Sequence, residues 1–188
     1  GYRWEKEHVE MLLNDIWDNK VQNYCLQPIV VKKIEEEKYE LIDGQQRLTT
    51  LFLIFKYMQT IVPKVNLNFT LSYETRVKSK EFLEAIDKDL AEDNIDFFYI
   101  YNAFEAIEEW FKEDKNGDDL LKTINLYKFF SENVKVIWYE VNTNEDATNL
   151  FTRLNIGKIP LTNAELVKAL FLSKDDACIN LEKQLEIA

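Results

Sequence analysis

The stretch Tyr39–Thr50, YELIDGQQRLTT, concentrates residue types that can handle a phosphate. A strand ending at Ile42, a turn at Asp43-Gly44 and a helix opening on Gln45-Gln46-Arg47 would aim free backbone N–H groups and the positive end of the helix dipole at one point. Gly44 lets an anion approach the backbone with no Cβ in the way. Arg47 adds a planar fork that can grip two phosphate oxygens at once, and Thr49 and Thr50 offer hydroxyls nearby. A plainer use of the same residues needs no ligand: Asp43 followed three residues later by Gln46 is a capping-box-like helix start. That alternative does not account for Arg47, because a cation in a first turn opposes the dipole by a few tenths of a kcal/mol up to about 1. Such local violations gather at functional or ion-paired positions. The stretch is not a Walker loop, since it lacks the G-x-x-x-x-G-K-[ST] spacing and the lysine. A second polar cluster, Arg153, Asn155, Gly157 and Lys158, also reads as an ordinary helix C-terminus, with the cations complementing the dipole.

Hydrophobic period places these residues on elements. Val9, Leu12, Leu13 and Ile16 at i, i+3, i+4, i+7 predict an amphipathic helix over 4–19, in which His8 is an ordinary surface or packing residue. Gln27–Ile34 and Lys38–Ile42 read as a hairpin, and 45–62 as an apolar helix stopped by Pro63. Alternation of Val65, Leu67, Phe69, Leu71 and Tyr73 predicts a further strand. Helical spacing returns over 80–90, 96–113 and 120–130. Val134–Val141 (VKVIWYEV) is β-branched and aromatic, and reads as a strand. A helix over 145–154, a loop to Leu161 and a capping box of Thr162 with Glu165 follow. The expected class is α+β: a small mixed β-sheet with packed helices.

The chain has 188 residues, 23 Lys+Arg, 34 Asp+Glu and a formal charge of −11. The length suits a single domain with its own core. Residues 81–119 hold fourteen acids and three lysines, so that segment alone carries the −11 and the remainder is balanced. A broadly basic DNA-binding surface is thereby excluded, whereas a local phosphate pocket is not. The expected organisation is a core of about 1–73 plus 134–174, interrupted by an acidic helical insertion of about 80–132. The apolar stripe of that insertion (Phe97, Tyr101, Phe104, Ile107, Phe111) is expected to pack on the core. Cys25 and Cys178 have no scaffold or metal-type spacing, and a reducing cytoplasm is the expected compartment. A single histidine excludes a multi-His zinc or HNH nuclease site. No apolar run is long enough to span a bilayer.

Three blocks together carry a family resemblance. Gly1-Tyr2-Arg3-Trp4 with Val9, Leu12-Leu13 and Asp15-Ile16, then Leu41-Ile42-Asp43-Gly44-Gln45-Gln46-Arg47-Leu48-Thr49, then Phe151, Leu154-Asn155, Gly157 and Leu161 resemble the GmrSD-type restriction endonuclease N-terminal domain. The resemblance implies a ParB/sulfiredoxin-like core and a nucleotide-binding, nucleotide-hydrolysing module of a phage-defence system that acts on modified DNA. It implies that the triphosphate is held at the DGQQR helix start with a divalent cation, Mg2+. Asp43 would serve as metal ligand or general base, Gln46 would orient water or phosphate, and Arg47 would stabilise transition-state charge. Gly44, Gln45, Thr49, Thr50, Arg153, Asn155 and Lys158 would bind the nucleotide. Expected partners are the nucleoside triphosphate and DNA, the latter reached through the full-length protein or a C-terminal nuclease domain outside this chain. No membrane partner is expected, and a homo-oligomer is one option. The family's N-terminal motif carries a Gln-Arg pair just before the position of Gly1, so the chain is expected to begin inside that motif. Two alternatives stand beside this: a non-catalytic nucleotide- or DNA-sensing and docking module, and a ParB-like DNA-binding or nuclease domain.

Overall fold

The computed structural model describes residues 1–19, 23–74, 78–92, 94–112 and 119–141. They lie within one compact unit, Gly1–Glu145; a second unit, Asp146–Ala188, lies outside the described residues. The expected helix over 145–154, the Thr162/Glu165 capping box and the cluster Arg153, Asn155 and Lys158 all fall outside them.

The elements in order are α1 (Lys6–Asp18), β1 (Tyr24–Glu35), β2 (Lys38–Asp43), α2 (Gln45–Ile61), α3 (Ser79–Glu84), α4 (Lys88–Ala91), α5 (Ile95–Lys112), α6 (Asp119–Glu132) and β3 (Val134–Val141). The class is α+β, with a mixed three-stranded sheet in the order β2-β1-β3. β1 pairs antiparallel with β2 and parallel with β3. Parallel pairing requires a long crossover, and helices α2 to α6 lie on that route.

Near Pro28 the β1–β3 ladder slips. Leu26 faces Val136 and Ile29 faces Trp138, so Gln27 and Pro28 together oppose a single residue. Proline has no N–H to give to a ladder, and a bulge is one of the few places in a sheet that tolerate it. The bulge matters for the site, because Gln27 and Pro28 turn their carbonyls toward α2.

Val65–Tyr73, expected as a strand from its alternation, has no strand pairing in the structure. Val65 is buried, Leu67, Leu71 and Tyr73 pack on the core, and Phe69 meets Phe52 edge-on at 5.8 Å. A half-buried extended segment lying on helices produces the same period of two as a strand, without a neighbour to bond. The 80–90 helix is in fact two pieces, α3 and α4, the second started by Asp87, whose carboxylate accepts from the Asp89 N–H at 2.7 Å.

The acidic segment is not appended to a core built elsewhere. Among the described residues, ten of the 26 in the main buried cluster come from it, including Phe97, Ile100, Ile107, Trp110 and Phe111. They pack with α1 and α2: Phe111 lies 4.9 Å from Tyr57, and Trp17 meets Trp110 edge-on at 5.8 Å. The expectation that the stripe packs on the core holds, with Tyr101 and Phe104 half-buried at its margin. Charge and core thus occupy opposite faces of the same helices. Asp96 is the exception, fully buried in the first turn of α5 and ion-paired with Arg3.

His8 is an exposed residue of the first turn, within the expectation of an ordinary surface or packing residue: its Nδ1 accepts from the Glu5 N–H at 3.3 Å, and its ring stacks on Trp4. On α6, Thr123 is fully buried and its hydroxyl has no hydrogen-bond partner among the described residues. Removing an unsatisfied hydroxyl while keeping the shape recovers its desolvation cost. Thr123→Val is therefore expected to raise stability by about 1 kcal/mol, read as a higher urea midpoint at unchanged slope.

Candidate functional site: the start of helix α2

β2 ends at Asp43, which pairs with Val30 of β1, and Gly44 turns the chain into α2. Gly44 has φ +95°, a left-handed conformation that disfavours any residue with a Cβ. Space is a second requirement: a Cβ there would lie 3.2 Å from Ile29 Cγ1 and 3.4 Å from the Pro28 carbonyl oxygen. Glycine lets the helix start sit directly on the β1 bulge.

Gly44, the N-cap of α2, has no side chain to cap it, and no acid stands in the first turn. The reciprocal bond that Gln46 would make in the capping box permitted by the Asp43/Gln46 spacing is replaced by others. Gln46 instead reaches the N-terminal segment. Its Oε1 accepts from the backbone N–H of Arg3 at 2.8 Å and of Trp4 at 3.2 Å, and its Nε2 donates to the Gly1 carbonyl at 2.9 Å. One amide thus straps residues 1–4 across the first turn of α2.

Arg47 points the other way. Its guanidinium donates to the carbonyls of Gln27 and Pro28, each at 3.4 Å, and to Gln27 Oε1. These contacts explain how a cation is tolerated in a first turn: charge-assisted hydrogen bonds to three neutral oxygens offset the adverse dipole. Burial draws the Arg47 pKa down from its ordinary value, and the nearby charge of Asp43 opposes that shift. An arginine remains cationic at neutral pH under such a shift, so its positive charge stays beside the helix start.

The five residues of the motif are brought together, but their side chains diverge. Gln45 is exposed, and its amide donates to the Leu41 carbonyl at 3.4 Å. Thr49 and Thr50, expected to offer hydroxyls to a phosphate, are buried on the inner face of α2. Thr49 Oγ1 bonds the Tyr73 hydroxyl at 2.8 Å and Thr50 Oγ1 the Tyr2 hydroxyl at 2.7 Å. Burial pushes the pKa of both phenols up, against the hydrogen bonds shared with the threonines. What sequence reasoning missed here is largely backbone: the carbonyls of Gln27 and Pro28, and the strap at Gly1–Trp4. Pro28 inside a strand-like run was the one signal of the bulge.

The model of the family described as GmrSD restriction endonuclease, N-terminal domain, matches residues 1–172. The chain belongs to that family. The match runs through the acidic segment, in accord with its place in the core, and continues past the described residues. The GmrSD N-terminal domain is a module of phage-defence restriction proteins, which implies interaction with DNA. No curated protein and no solved structure matches the chain. Among the described residues of this GmrSD N-terminal domain, no cluster of three or more His, Cys, Asp or Glu could hold a metal unaided, and no helix is long and apolar enough to cross a membrane.

Proposed function

We propose that this GmrSD N-terminal domain binds a nucleoside triphosphate at the start of α2 and hydrolyses it, as the nucleotide-driven module of a restriction protein. The observation that carries the proposal is Gly44. At φ +95° it opens a 17-residue helix as an N-cap with no side chain of its own, and a helix start is a ready anion site. The fixed charge of Arg47 adjoins them. Asp43, half-buried at the end of β2, supplies a single carboxylate. That suits Mg2+, which is commonly bound through one or two carboxylates plus the phosphates of its substrate. The ion would neutralise phosphate charge. The role of Arg47 is to stabilise charge on the transferred group after exchanging its carbonyl partners on β1 for phosphate oxygens. Gln46 holds the strap beside the site. The acidic 81–119 surface argues against ParB-like DNA binding by this domain, so DNA is contacted elsewhere in the full-length protein.

A second reading, a sensor that binds nucleotide without hydrolysing it, is favoured by one observation: Gln46 and Arg47 are both engaged in internal hydrogen bonds. Calorimetric titration with nucleoside triphosphates and Mg2+, alongside phosphate release, separates the two. Arg47→Ala is expected to lower phosphate release by about 100-fold or more, with Arg47→Lys in between. Tight binding with no release by the full-length protein would favour the sensor. Binding and release that both survive Arg47→Ala would overturn the assigned role.

A further inference from the structure

The outward face of α5 carries a stripe that the domain's own core leaves unused. Ile95, Phe98, Asn102, Glu105 and Glu109 recur at steps of three and four, the spacing that keeps side chains on one face of a helix. The opposite face, with Phe97, Ile100, Ile107 and Phe111, is buried. Beside the stripe, the first turn of α1 supplies a second wall through Glu5, Lys6 and Glu7, and the groove between them has a volume of about 420 Å³.

The groove changes character along its length. At the N-terminal end of α5 it is lined by Phe98, 49% exposed, whose ring adjoins Tyr99 at 5.7 Å, and Ile95, 60% exposed, stands just beyond the lining on the same helix face. Toward the C-terminal end the lining is carboxylate. Lys6, the lysine on this rim, is already neutralised by Glu109 at 2.6 Å and Glu10 at 3.5 Å. Glu105 accepts from the Tyr101 hydroxyl at 2.9 Å, which leaves its charge in place. From Ile95 to Glu109 the helix rises about 21 Å, the length of a helical segment rather than of a small molecule.

We propose that this groove docks an amphipathic helix of a partner protein, with apolar side chains against Ile95 and Phe98 and Lys or Arg side chains against Glu105 and Glu109. Charge complementarity selects the occupant: the carboxylate rim repels a nucleic-acid backbone and attracts a cationic peptide. The exposed aromatic end requires apolar residues that a polyamine lacks. Helix-in-groove recognition uses such i, i+3, i+4, i+7 anchors. The proposal is independent of nucleotide binding at α2.

The test is fluorescence anisotropy on the full chain with a labelled helical peptide of about 15 residues. The peptide carries Leu and Phe on one end of a face and Lys and Arg on the other, and a control replaces its basic residues by Glu. Saturable binding of the basic peptide alone is expected, weakening as salt is raised. The double variant Glu105→Lys, Glu109→Lys and the single variant Phe98→Ala should each weaken it about tenfold. All three side chains are at least partly solvent-facing, and unchanged circular dichroism would show that the fold survives. The same charge change placed at Glu35 and Glu36, in the β1–β2 turn, should leave affinity unaltered. Equal loss from Glu35→Lys, Glu36→Lys would reveal only the attraction of a polycation to an acidic chain, and would overturn the proposal. So would affinity unaffected by Phe98→Ala, or absence of saturable binding.

Discussion

Replacing residues 80–132 by a short Gly/Ser linker is expected to yield a chain with no cooperative unfolding transition. Within that segment, Ile107→Ala alone is expected to lower stability by about 2–5 kcal/mol. Ile107 is fully buried on the face of α5 that meets the rest of the core. Truncating it removes apolar contact and leaves a cavity that a close-packed core closes only in part. The linker variant removes every buried hydrophobic residue of α3 to α6 at once, stripping Val9, Leu13 and Ile16 of α1 and Leu53, Ile54 and Met58 of α2 of much of their cover. Urea denaturation followed by circular dichroism and tryptophan fluorescence checks both. A linker variant that unfolds cooperatively would show that the acidic segment is an insertion on a self-sufficient core. An Ile107→Ala change below about 1 kcal/mol would show that the site relaxes without a cavity.

Gly44→Ala is expected to cost about 2 kcal/mol of stability, from the left-handed backbone together with the contact its Cβ makes on the β1 bulge. Two causes act here, and a second substitution separates them. Asparagine tolerates positive φ far better than alanine does, but it fills the same space against Ile29 and the Pro28 carbonyl. If backbone strain dominates, Gly44→Asn will be nearly as stable as the parent; if close approach dominates, it will be as damaged as Gly44→Ala. In either case the new side chain stands at the mouth of α2, so nucleotide binding by calorimetry is expected to fall more than stability does. Undiminished nucleotide affinity in a folded Gly44→Ala variant would place the phosphates elsewhere.

The strap at residues 1–4 bears on the same experiments. Gln46 bonds three backbone groups there, and Tyr2 is buried with its hydroxyl on Thr50, whose own hydroxyl donates to the Gln46 carbonyl at 2.9 Å. Substitutions at Gln46 will therefore disturb the N-terminal segment as well as the site. Arg47 variants, whose hydrogen bonds reach β1, test the chemistry more cleanly.

Much of this protein was legible from residue order alone. The amphipathic spacing of Val9, Leu12, Leu13 and Ile16, the run from Gln45 to Ile61 ahead of Pro63, and VKVIWYEV each specify an element, because local period and propensity act over neighbouring residues. The DGQQR helix start and the family were equally visible, since motif and spacing are sequence properties. Tertiary structure decided the rest. The period of two over 65–73 could not distinguish a strand from an extended segment lying on helices, because only a neighbouring backbone makes a strand. The charge of 81–119 pointed to an insertion, yet its helices face solvent with one side and supply the core with the other, and net charge does not record which side is which. The directions of Gln46, Arg47, Thr49 and Thr50 depend on what the fold places beside each of them: the strap, the carbonyls released by the Pro28 bulge, and the Tyr73 and Tyr2 hydroxyls. Those partners lie between 19 and 48 residues away in the chain, and contacts at such separation are set by packing rather than by local sequence.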